Sequence, residues 1–257
     1  MMQPVTELSS VDLSKIRALL FDLDGTFVSG DFIESSAYEK LEFIHKSGVK
    51  TIAVTGRPAG WCDLMARWWP LDSVIGENGA LSYYKESDRI VRDTYLDSKM
   101  LSTNQMKLAE LVKKIMTKYP EIQLASDQSF RQWDIAIDIA EEQKVSQEIS
   151  IDIMNICKEA GAQCALSNVH INVWFGDYNK RRMARIVLDR LNLDKYDTIY
   201  IGDSPNDSPM FRYIPLSVGV SSVITYTEMI DCLPKYVTKS DGPQGFIELL
   251  EIISLTK

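Results

Sequence analysis

Three short segments of the sequence carry carboxylate, hydroxyl and amide side chains directly after runs of apolar residues. The segments are Asp22-Leu23-Asp24-Gly25-Thr26, Thr55-Gly56-Arg57 and Gly202-Asp203-Ser204-Pro205-Asn206-Asp207. The apolar runs before them are short enough to be buried strands. Ligands of open α/β sheets bind beyond the carboxyl ends of the strands, so we expect the three segments to meet at one edge of a sheet.

The carboxylates of these segments require a cation if they meet. Like charges a few ångströms apart cannot all stay ionised without one. A hard divalent ion with oxygen ligands removes the repulsion, and magnesium is the expected ion where a phosphate group supplies further ligands. The sequence therefore predicts a metal site, although it has no histidine cluster.

The spacing of the first segment suits nucleophilic attack on phosphorus. Asp22 directly follows the strand and can form an acyl-phosphate, which divides one difficult hydrolysis into two easier steps. Asp24 is near enough to protonate the leaving oxygen and later to deprotonate water. Thr55 offers a hydroxyl group to the phosphoryl oxygens, and Lys180 offers a positive charge at the start of a predicted helix.

The elements that position these residues are predicted from hydrophobic periodicity. Alternating strands and helices over residues 16–75, and again from 179, predict a doubly wound parallel sheet. Between them lie paired strands (81–84 and 89–95), two helices (103–118 and 145–160), a strand with one wet face (134–139) and a hairpin turning at Asn168. The predicted fold is therefore α/β, with a Rossmann-like doubly wound core and an inserted α+β cap. The expected division is core over 1–83, cap over 84–175 and core over 176–257.

The four ordered motifs resemble those of the haloacid dehalogenase superfamily of phosphohydrolases. The motifs are Phe21-Asp22-Leu23-Asp24-Gly25-Thr26, Thr55-Gly56-Arg57, Lys180 and Gly202-Asp203-Ser204-Pro205-Asn206-Asp207. A cap between the second and third motifs, together with Glu77-Asn78-Gly79-Ala80, resembles the Cof-type and sucrose-phosphate-phosphatase-like branch. The resemblance covers the whole chain.

The resemblance implies roles for individual residues. Asp22 is implied as the nucleophile and Asp24 as the general acid and base. The implied Mg²⁺ ligands are Asp22, the backbone carbonyl of Asp24, and the acids Asp203 and Asp207. The implied phosphate-binding residues are Thr55, Gly56, Lys180 and Asn78.

Substrate-contacting residues are less well defined by the sequence. His170 and Asn172 alternate with Trp174 on one face of a predicted strand, and Arg131 and Asp134 flank another. If these faces look toward the core, the side chains can touch substrate; exposure to solvent explains them equally well. The remaining candidates, from the second and last motifs, are Arg57 and Asn206.

Composition excludes several classes of protein. The 257 residues carry a formal charge of −8, which argues against nucleic-acid binding. The four cysteines are scattered, which favours reduced thiols over a zinc site or a disulfide framework. Neither a secretory signal nor a membrane-spanning run is evident, so a cytoplasmic location is expected. No obligate protein partner is evident.

The main prediction is a magnesium-dependent phosphatase that acts on a small phosphorylated metabolite through an aspartyl-phosphate. By family analogy the metabolite is a sugar phosphate. Two other functions compete with this prediction. The first is a phosphomannomutase-like phosphomutase, which would return the phosphoryl group to a bound sugar. The second is a non-catalytic binding protein that kept the fold. A binding protein has no need of both Asp22 and Asp24, which argues against that alternative.

Overall fold

The computed structural model describes residues 2–30, 32–167 and 169–255. The strands in these ranges are β1 (Gln3–Pro4), β2 (Ala18–Phe21), β3 (Lys50–Val54), β4 (Ser73–Gly76), β5 (Leu81–Glu86), β6 (Arg89–Thr94), β7 (Asp134–Asp138), β8 (Gln163–Leu166), β9 (His170–Trp174), β10 (Thr198–Gly202), β11 (Leu216–Gly219) and β12 (Tyr236–Val237). The α-helices are α1 (Ser10–Lys15), α2 (Ser35–Lys46), α3 (Ala59–Trp68), α4 (Ser98–Lys118), α5 (Gln147–Glu159), α6 (Lys180–Arg190), α7 (Ser208–Tyr213) and α8 (Gly242–Ser254).

Nine of these strands form one sheet in the order β1-β12-β11-β10-β2-β3-β4-β5-β6. The first seven strands in this order run parallel, and β5 and β6 are antiparallel additions at one edge. Side chains of α2, α3 and α8 pack in the hydrophobic cluster on one face. Side chains of α6 and α7 pack in a second cluster with the other side chains of β2, β3 and β10. Burial on both faces explains why β2 is wholly apolar.

Register brings the motif-bearing strands to a common end. Phe21 of β2 pairs with Ala53 of β3 and with Ile201 of β10. The residues that follow these three positions therefore leave the sheet side by side. This alignment places the first, second and last motifs at one edge, as the sequence predicts.

A separate three-stranded antiparallel sheet has the order β7-β9-β8. Apolar side chains of α4 and α5 cover one face of it and form their own hydrophobic cluster with the strands. The prediction of a wet face on β7 is wrong, since Asp134 and Asp138 are each only 3% exposed. The polar face of this sheet lies against the large sheet instead of solvent: Arg131, just before β7, donates to the carbonyl oxygen of Gly56 at 2.9 Å.

The paired strands predicted at 81–84 and 89–95 are present as β5 and β6, but both belong to the large sheet. The pair hydrogen-bonds to β4 and has no strand partner in the small sheet. This sheet membership favours moving the first core–cap boundary, expected at 83/84, to a point after β6. The division of the chain into domains otherwise stays a prediction.

The first cap helix also differs from its predicted bounds. It begins at Ser98 instead of 103, because the Asp97 side chain accepts a hydrogen bond from the backbone N–H of Lys99 and caps the additional turn. The predicted turn at Asn168 lies outside the described residues.

The α/β fold class with an α+β cap sheet is confirmed. All four cysteines are free thiols, as expected. Across residues 2–30, 32–167 and 169–255, the helices are too short or too polar for any of them to cross a membrane.

Candidate active site

Asp22 occupies the centre of the large sheet's carboxyl edge. Its backbone N–H donates to the carbonyl oxygen of Ile201 at 3.0 Å, which extends the pairing of β2 with β10 by one residue. The residue is 3% exposed, and its Oδ1 accepts a hydrogen bond from Lys180 Nζ at 2.8 Å. Burial raises the pKa of the Asp22 carboxyl to about 7; the positive charge of Lys180 opposes this rise and the negative charge of Asp207 adds to it.

Lys180 is the first residue of α6 and lies fully inside the site. Its Nζ donates to Asp22 at 2.8 Å, to Asp207 at 2.7 Å and to the side-chain oxygen of Asn206 at 3.1 Å. Burial alone would lower the pKa of Lys180, but the two carboxylates outweigh it and the pKa is raised. Lys180 is therefore a fixed positive charge between two acids, and not a member of a solvated basic helix face.

Asp207 is held on all sides by hydrogen-bond donors. Its Oδ1 accepts from the Tyr200 hydroxyl at 2.6 Å as well as from Lys180, and its Oδ2 accepts from the backbone N–H groups of Asp203 and Ser204. The carboxylate packs so closely on Gly202 that a Cβ there would lie 2.4 Å from Oδ2. Only glycine leaves room for this arrangement, which explains the glycine that precedes Asp203.

Asp22, Asp203 and Asp207 form an acidic cluster with the donor set of a metal site. One carboxylate oxygen from each lies within 4.8 Å of the others, and all three residues are buried. Lys180 supplies one positive charge to the cluster, so a divalent cation would balance the remaining carboxylates. Asp207 already accepts four hydrogen bonds, so it can give a metal an oxygen only by losing one of them.

Asp24 faces the same site but has a different partner. Arg57 donates hydrogen bonds to its carboxylate from Nε, 3.0 Å from each oxygen, and from Nη2, 2.7 Å from Oδ1. The guanidinium group also lies over the Trp61 ring, 4.7 Å from its centroid. Burial alone would lower the pKa of Arg57, but Asp24 and Glu141 raise it. This forked contact fixes the Asp24 carboxylate, and the second and first motifs are joined through it.

Arg57 also connects the core to the cap. Its Nη1 donates to Glu141 at 3.0 Å and to Asp127 at 3.4 Å, both beyond the large sheet. Glu141 in turn lies 2.9 Å from Nε2 of His170 on β9. Burial lowers the pKa of His170, and Glu141 opposes this. One guanidinium group therefore ties the Asp24 carboxylate to two acids of the cap.

The phosphate-binding candidates of the second motif lie at the base of the cap. Thr55 is fully buried, and its hydroxyl oxygen accepts the backbone N–H of Arg57 at 3.0 Å. A Cβ on Gly56 would lie 3.2 Å from the Asn78 amide nitrogen and 3.3 Å from the Asn172 side-chain oxygen. The two amides therefore flank Gly56, one from the core and one from the cap.

Arg131 and Asp134 form a buried ion pair at the base of the cap. Arg131 Nη1 lies 3.1 Å from Asp134 Oδ1, and Arg131 Nε lies 3.2 Å from Asp127. Asp134 also accepts from the Asn172 amide at 3.1 Å. Burial raises the pKa of Asp134, and Arg131 opposes this. These side chains support Gly56 and Asn172 and are not free on a wet surface.

Glu77, in the core, binds backbone groups at the base of the cap. Its carboxylate accepts from the backbone N–H groups of Ala59 at 2.9 Å, Gln132 at 2.9 Å and Trp133 at 2.5 Å. Burial raises the pKa of Glu77 to about 7, an effect that these N–H donors oppose. The first turn of α3 and the chain entering β7 thus share one carboxylate, which fixes their relative position.

The space enclosed between core and cap is very small. Asp22, Asp24, Arg57, His170 and Asn172 are among the residues lining a cavity of about 10 Å³. Such a cavity holds about one water molecule. The inner cavity is therefore too small for a phosphoryl group to lie beside Asp22 unless the cap moves away from the core.

The structure therefore brings every sequence-predicted site residue to the core–cap junction. Glu141 and Asp127 are not predictable from the sequence. Glu141 lies in a cap loop and Asp127 in a short 3₁₀ helix (Ser126–Phe130), where a charge is ordinarily solvated. The hydrogen bonds that Glu77 accepts are equally unpredictable from the sequence. Glu77 (φ 45°) and Asn78 (φ 55°) both adopt the left-handed backbone region.

Comparison with known proteins gives a family-model match and a similar curated protein. The family model for haloacid dehalogenase-like hydrolases matches residues 19–115 and 99–242. A phosphoglycolate phosphatase of Archaeoglobus fulgidus is 23% identical over 95% of this chain and 99% of its own.

Solved structures share the fold. A Thermoplasma acidophilum protein superposes with a TM-score of 0.74 at 17% identity, covering 93% of this chain and 99% of its own. The sucrose-phosphatase of Synechocystis sp. PCC6803, solved with sucrose and phosphate, gives 0.66 at 18% identity, covering 92% and 97%. The sequence-based assignment is confirmed: this chain belongs to the haloacid dehalogenase-like hydrolase family.

Proposed function

We propose that this hydrolase is a magnesium-dependent phosphatase that cleaves a small phosphorylated metabolite through a phosphoryl group on Asp22. The observation that carries the proposal is the placement of Asp22. It lies 2.8 Å from Lys180 and beside Asp203 and Asp207, at the floor of a cavity that the cap closes. A buried carboxylate with one fixed cation and two acidic neighbours suits nucleophilic attack on a phosphate ester.

The reaction proceeds in two displacements. An oxygen of Asp22 attacks phosphorus, the bond to the leaving oxygen breaks, and Asp24 donates a proton to that oxygen. Water then attacks phosphorus as Asp24 takes its proton, and the bond to Asp22 breaks to free inorganic phosphate. Lys180, Thr55, Gly56 and Asn78 hold the phosphoryl oxygens while negative charge develops there.

We assign Mg²⁺ to the acidic cluster. Asp22 and Asp203 would provide side-chain oxygens, Asp24 its backbone carbonyl, and Asp207 a further carboxylate oxygen. Bound there, the ion would supply positive charge that lets an anionic nucleophile approach an anionic substrate.

The side chains of the cap that face the site determine which substrate binds. Its face toward Asp24 carries an imidazole, an amide and carboxylates, groups that donate to and accept from hydroxyls. These are His170, Asn172 and Glu141, with Arg57, Arg131, Asp134 and Asn206 around them. Such a set favours a sugar phosphate or related polyol phosphate. The cap's closure excludes water from the phosphorylated Asp22 until the leaving group has left. A cytoplasmic location remains part of this proposal.

Metal dependence is tested by phosphate release from a panel that includes sugar phosphates and phosphoglycolate. We expect release with Mg²⁺ and a fall of roughly 100-fold in chelator, because about 3 kcal/mol of transition-state stabilisation is lost. Asp203→Asn should show the same loss and should no longer gain thermal stability from Mg²⁺. Asp63→Asn, on the exposed side of α3, is the control. Release that is equal with Mg²⁺ and with chelator contradicts the metal assignment, and isomerised sugar phosphate without release indicates a mutase.

Arg57→Ala should lower kcat about 30-fold, roughly 2 kcal/mol, because Asp24 loses the fork that orients it and Glu141 loses its cation. Arg57→Lys, which keeps the charge without the fork, should recover only part of this. The matched control is Arg67→Ala, since Arg67 makes the same forked contact to Asp63 but lies exposed on α3. Equal kcat values for Arg57→Ala and Arg67→Ala would refute the role of Arg57 in positioning Asp24.

A further inference from the structure

A groove of about 660 Å³ lies between cap and core, next to the proposed phosphate site. Its cap wall includes β8 and the end of α5, and its core wall includes the start of α6 and the segment 205–212. Lys180, Asn78 and Asn206 lie at its inner end. The volume is within the range of about 300–1,000 Å³ usual for small-molecule sites. Asn206 also lines the small cavity beside Asp24, so the two spaces adjoin.

The outer groove is positively charged in a chain of net charge −8. Besides Lys180, its lining carries Lys158, Arg181, Arg182 and Arg212 against two acids. Arg182 pairs with Asp177 at 2.8 Å. Within the described ranges, the other three cations have no carboxylate within ion-pairing distance. Three exposed cations that line one groove without ion-pair partners attract an anion.

The buried side chain of Asn78 is a second sign of a ligand, at the point where the proposed phosphate site meets the groove. It is 2% exposed, and neither its side-chain oxygen nor its nitrogen has a hydrogen-bond partner among the described residues. A buried amide left without partners is costly, and the cost disappears when a ligand meets it. Asn78 lines the inner end of the groove beside Lys180, where a ligand passing from the phosphate site into the groove would contact it.

We propose that this groove binds a second anionic group of the substrate, a phosphate or a carboxylate, while the first phosphate lies at Asp22. The inference rests on the proposed phosphatase function and narrows it to substrates with two anionic groups. Arg181 and Arg212 are the residues that recognise the second group, and Asn78 holds the first phosphate where the two spaces meet.

Binding of non-hydrolysable phosphonates tests this assignment without requiring turnover. Alkane diphosphonates of increasing chain length are compared with alkyl monophosphonates by calorimetry on the full chain in excess Mg²⁺. At the best length, we expect the diphosphonate to bind at least roughly tenfold more tightly, the value of one charge-assisted hydrogen bond. The Arg181→Ala/Arg212→Ala variant should lose this advantage and keep its affinity for the monophosphonate. Arg185→Ala, exposed on the same helix, is the control and should behave as wild type.

Three outcomes overturn the proposal. One is a diphosphonate that binds no more tightly than the monophosphonate at any length. Another is a double variant that loses affinity for both ligands equally. The third is that two monophosphonates bind per chain and that the double variant binds only one. That result would mean that the groove takes a separate anion. Because binding does not depend on turnover, a diphosphonate advantage in a chain that releases no phosphate would uphold the groove and refute the phosphatase function.

Discussion

We expect Asp22→Asn to abolish phosphate release, with a fall in kcat of at least about 10⁴, the scale seen when a covalent nucleophile is removed. An amide keeps the shape of the carboxylate but cannot attack phosphorus. The measurement is steady-state phosphate release with Mg²⁺, using whichever substrate of the panel wild type cleaves best.

The same variant should remain folded, which separates chemistry from stability. Burial already raises the pKa of Asp22 to about 7, so its charge is costly in the metal-free protein and a neutral amide relieves that cost. Lys180 keeps its contacts to Asp207 and Asn206. We expect a melting temperature in chelator equal to or above that of wild type. A variant that retains a tenth of wild-type kcat would show that Asp22 is not the nucleophile.

Lys180→Met should lower both activity and stability. Methionine fills the space of the lysine stem but leaves Asp22 and Asp207 facing each other without their shared cation. Loss of one partner from a buried ion pair costs about 3–5 kcal/mol, so the melting temperature in chelator should fall by roughly 10 °C. The loss of one donor to the transition state should lower kcat by about 10²–10³.

Mg²⁺ gives this prediction a further test. A divalent ion in the acidic cluster replaces part of the missing charge. Adding Mg²⁺ should therefore raise the melting temperature of Lys180→Met by more than it raises that of wild type. Lys85→Met is the control, since that side chain is 57% exposed and pairs with the exposed Asp88. If Lys180→Met and Lys85→Met have the same melting temperature and the same kcat, Lys180 is not the central cation of the site.

The catalytic edge of the fold was predictable because it is built from local signals. Each motif follows a short apolar strand, and parallel register then forces Asp22, Thr55 and Asp203 to the same edge. No long-range information is needed beyond the rule that such strands share a sheet. The order of the motifs along the chain supplied the rest through the family resemblance.

The cap interface was not predictable, since its polar groups have the composition of a solvated surface. The alternation of β7 shows that Asp134 and Asp138 share a face, but not what covers that face. Burial by the core turns these acids into partners of Arg131 and of backbone N–H groups. Glu141 meets Arg57 across 84 residues of chain, a pairing for which no local pattern exists.

The small size of the inner cavity follows from the same contacts. Arg57 joins Asp24 to Glu141 and Asp127, and Glu77 fixes the chain that enters β7. Opening the cap for substrate would break the bonds from Arg57 to Glu141 and Asp127. The Glu77 bonds lie instead at the base of the cap, where β7 begins.

The central claim is that the phosphoryl group passes through Asp22, and trapping it there is the most direct test. Asp24→Ala with 4-nitrophenyl phosphate suits this purpose, because that leaving group needs no proton while hydrolysis of the intermediate still lacks its base. Acid quench followed by peptide mass spectrometry should find the phosphoryl group on Asp22. A phosphoryl group on another residue, or nitrophenol release with no phosphorylated peptide at any quench time, would contradict the account.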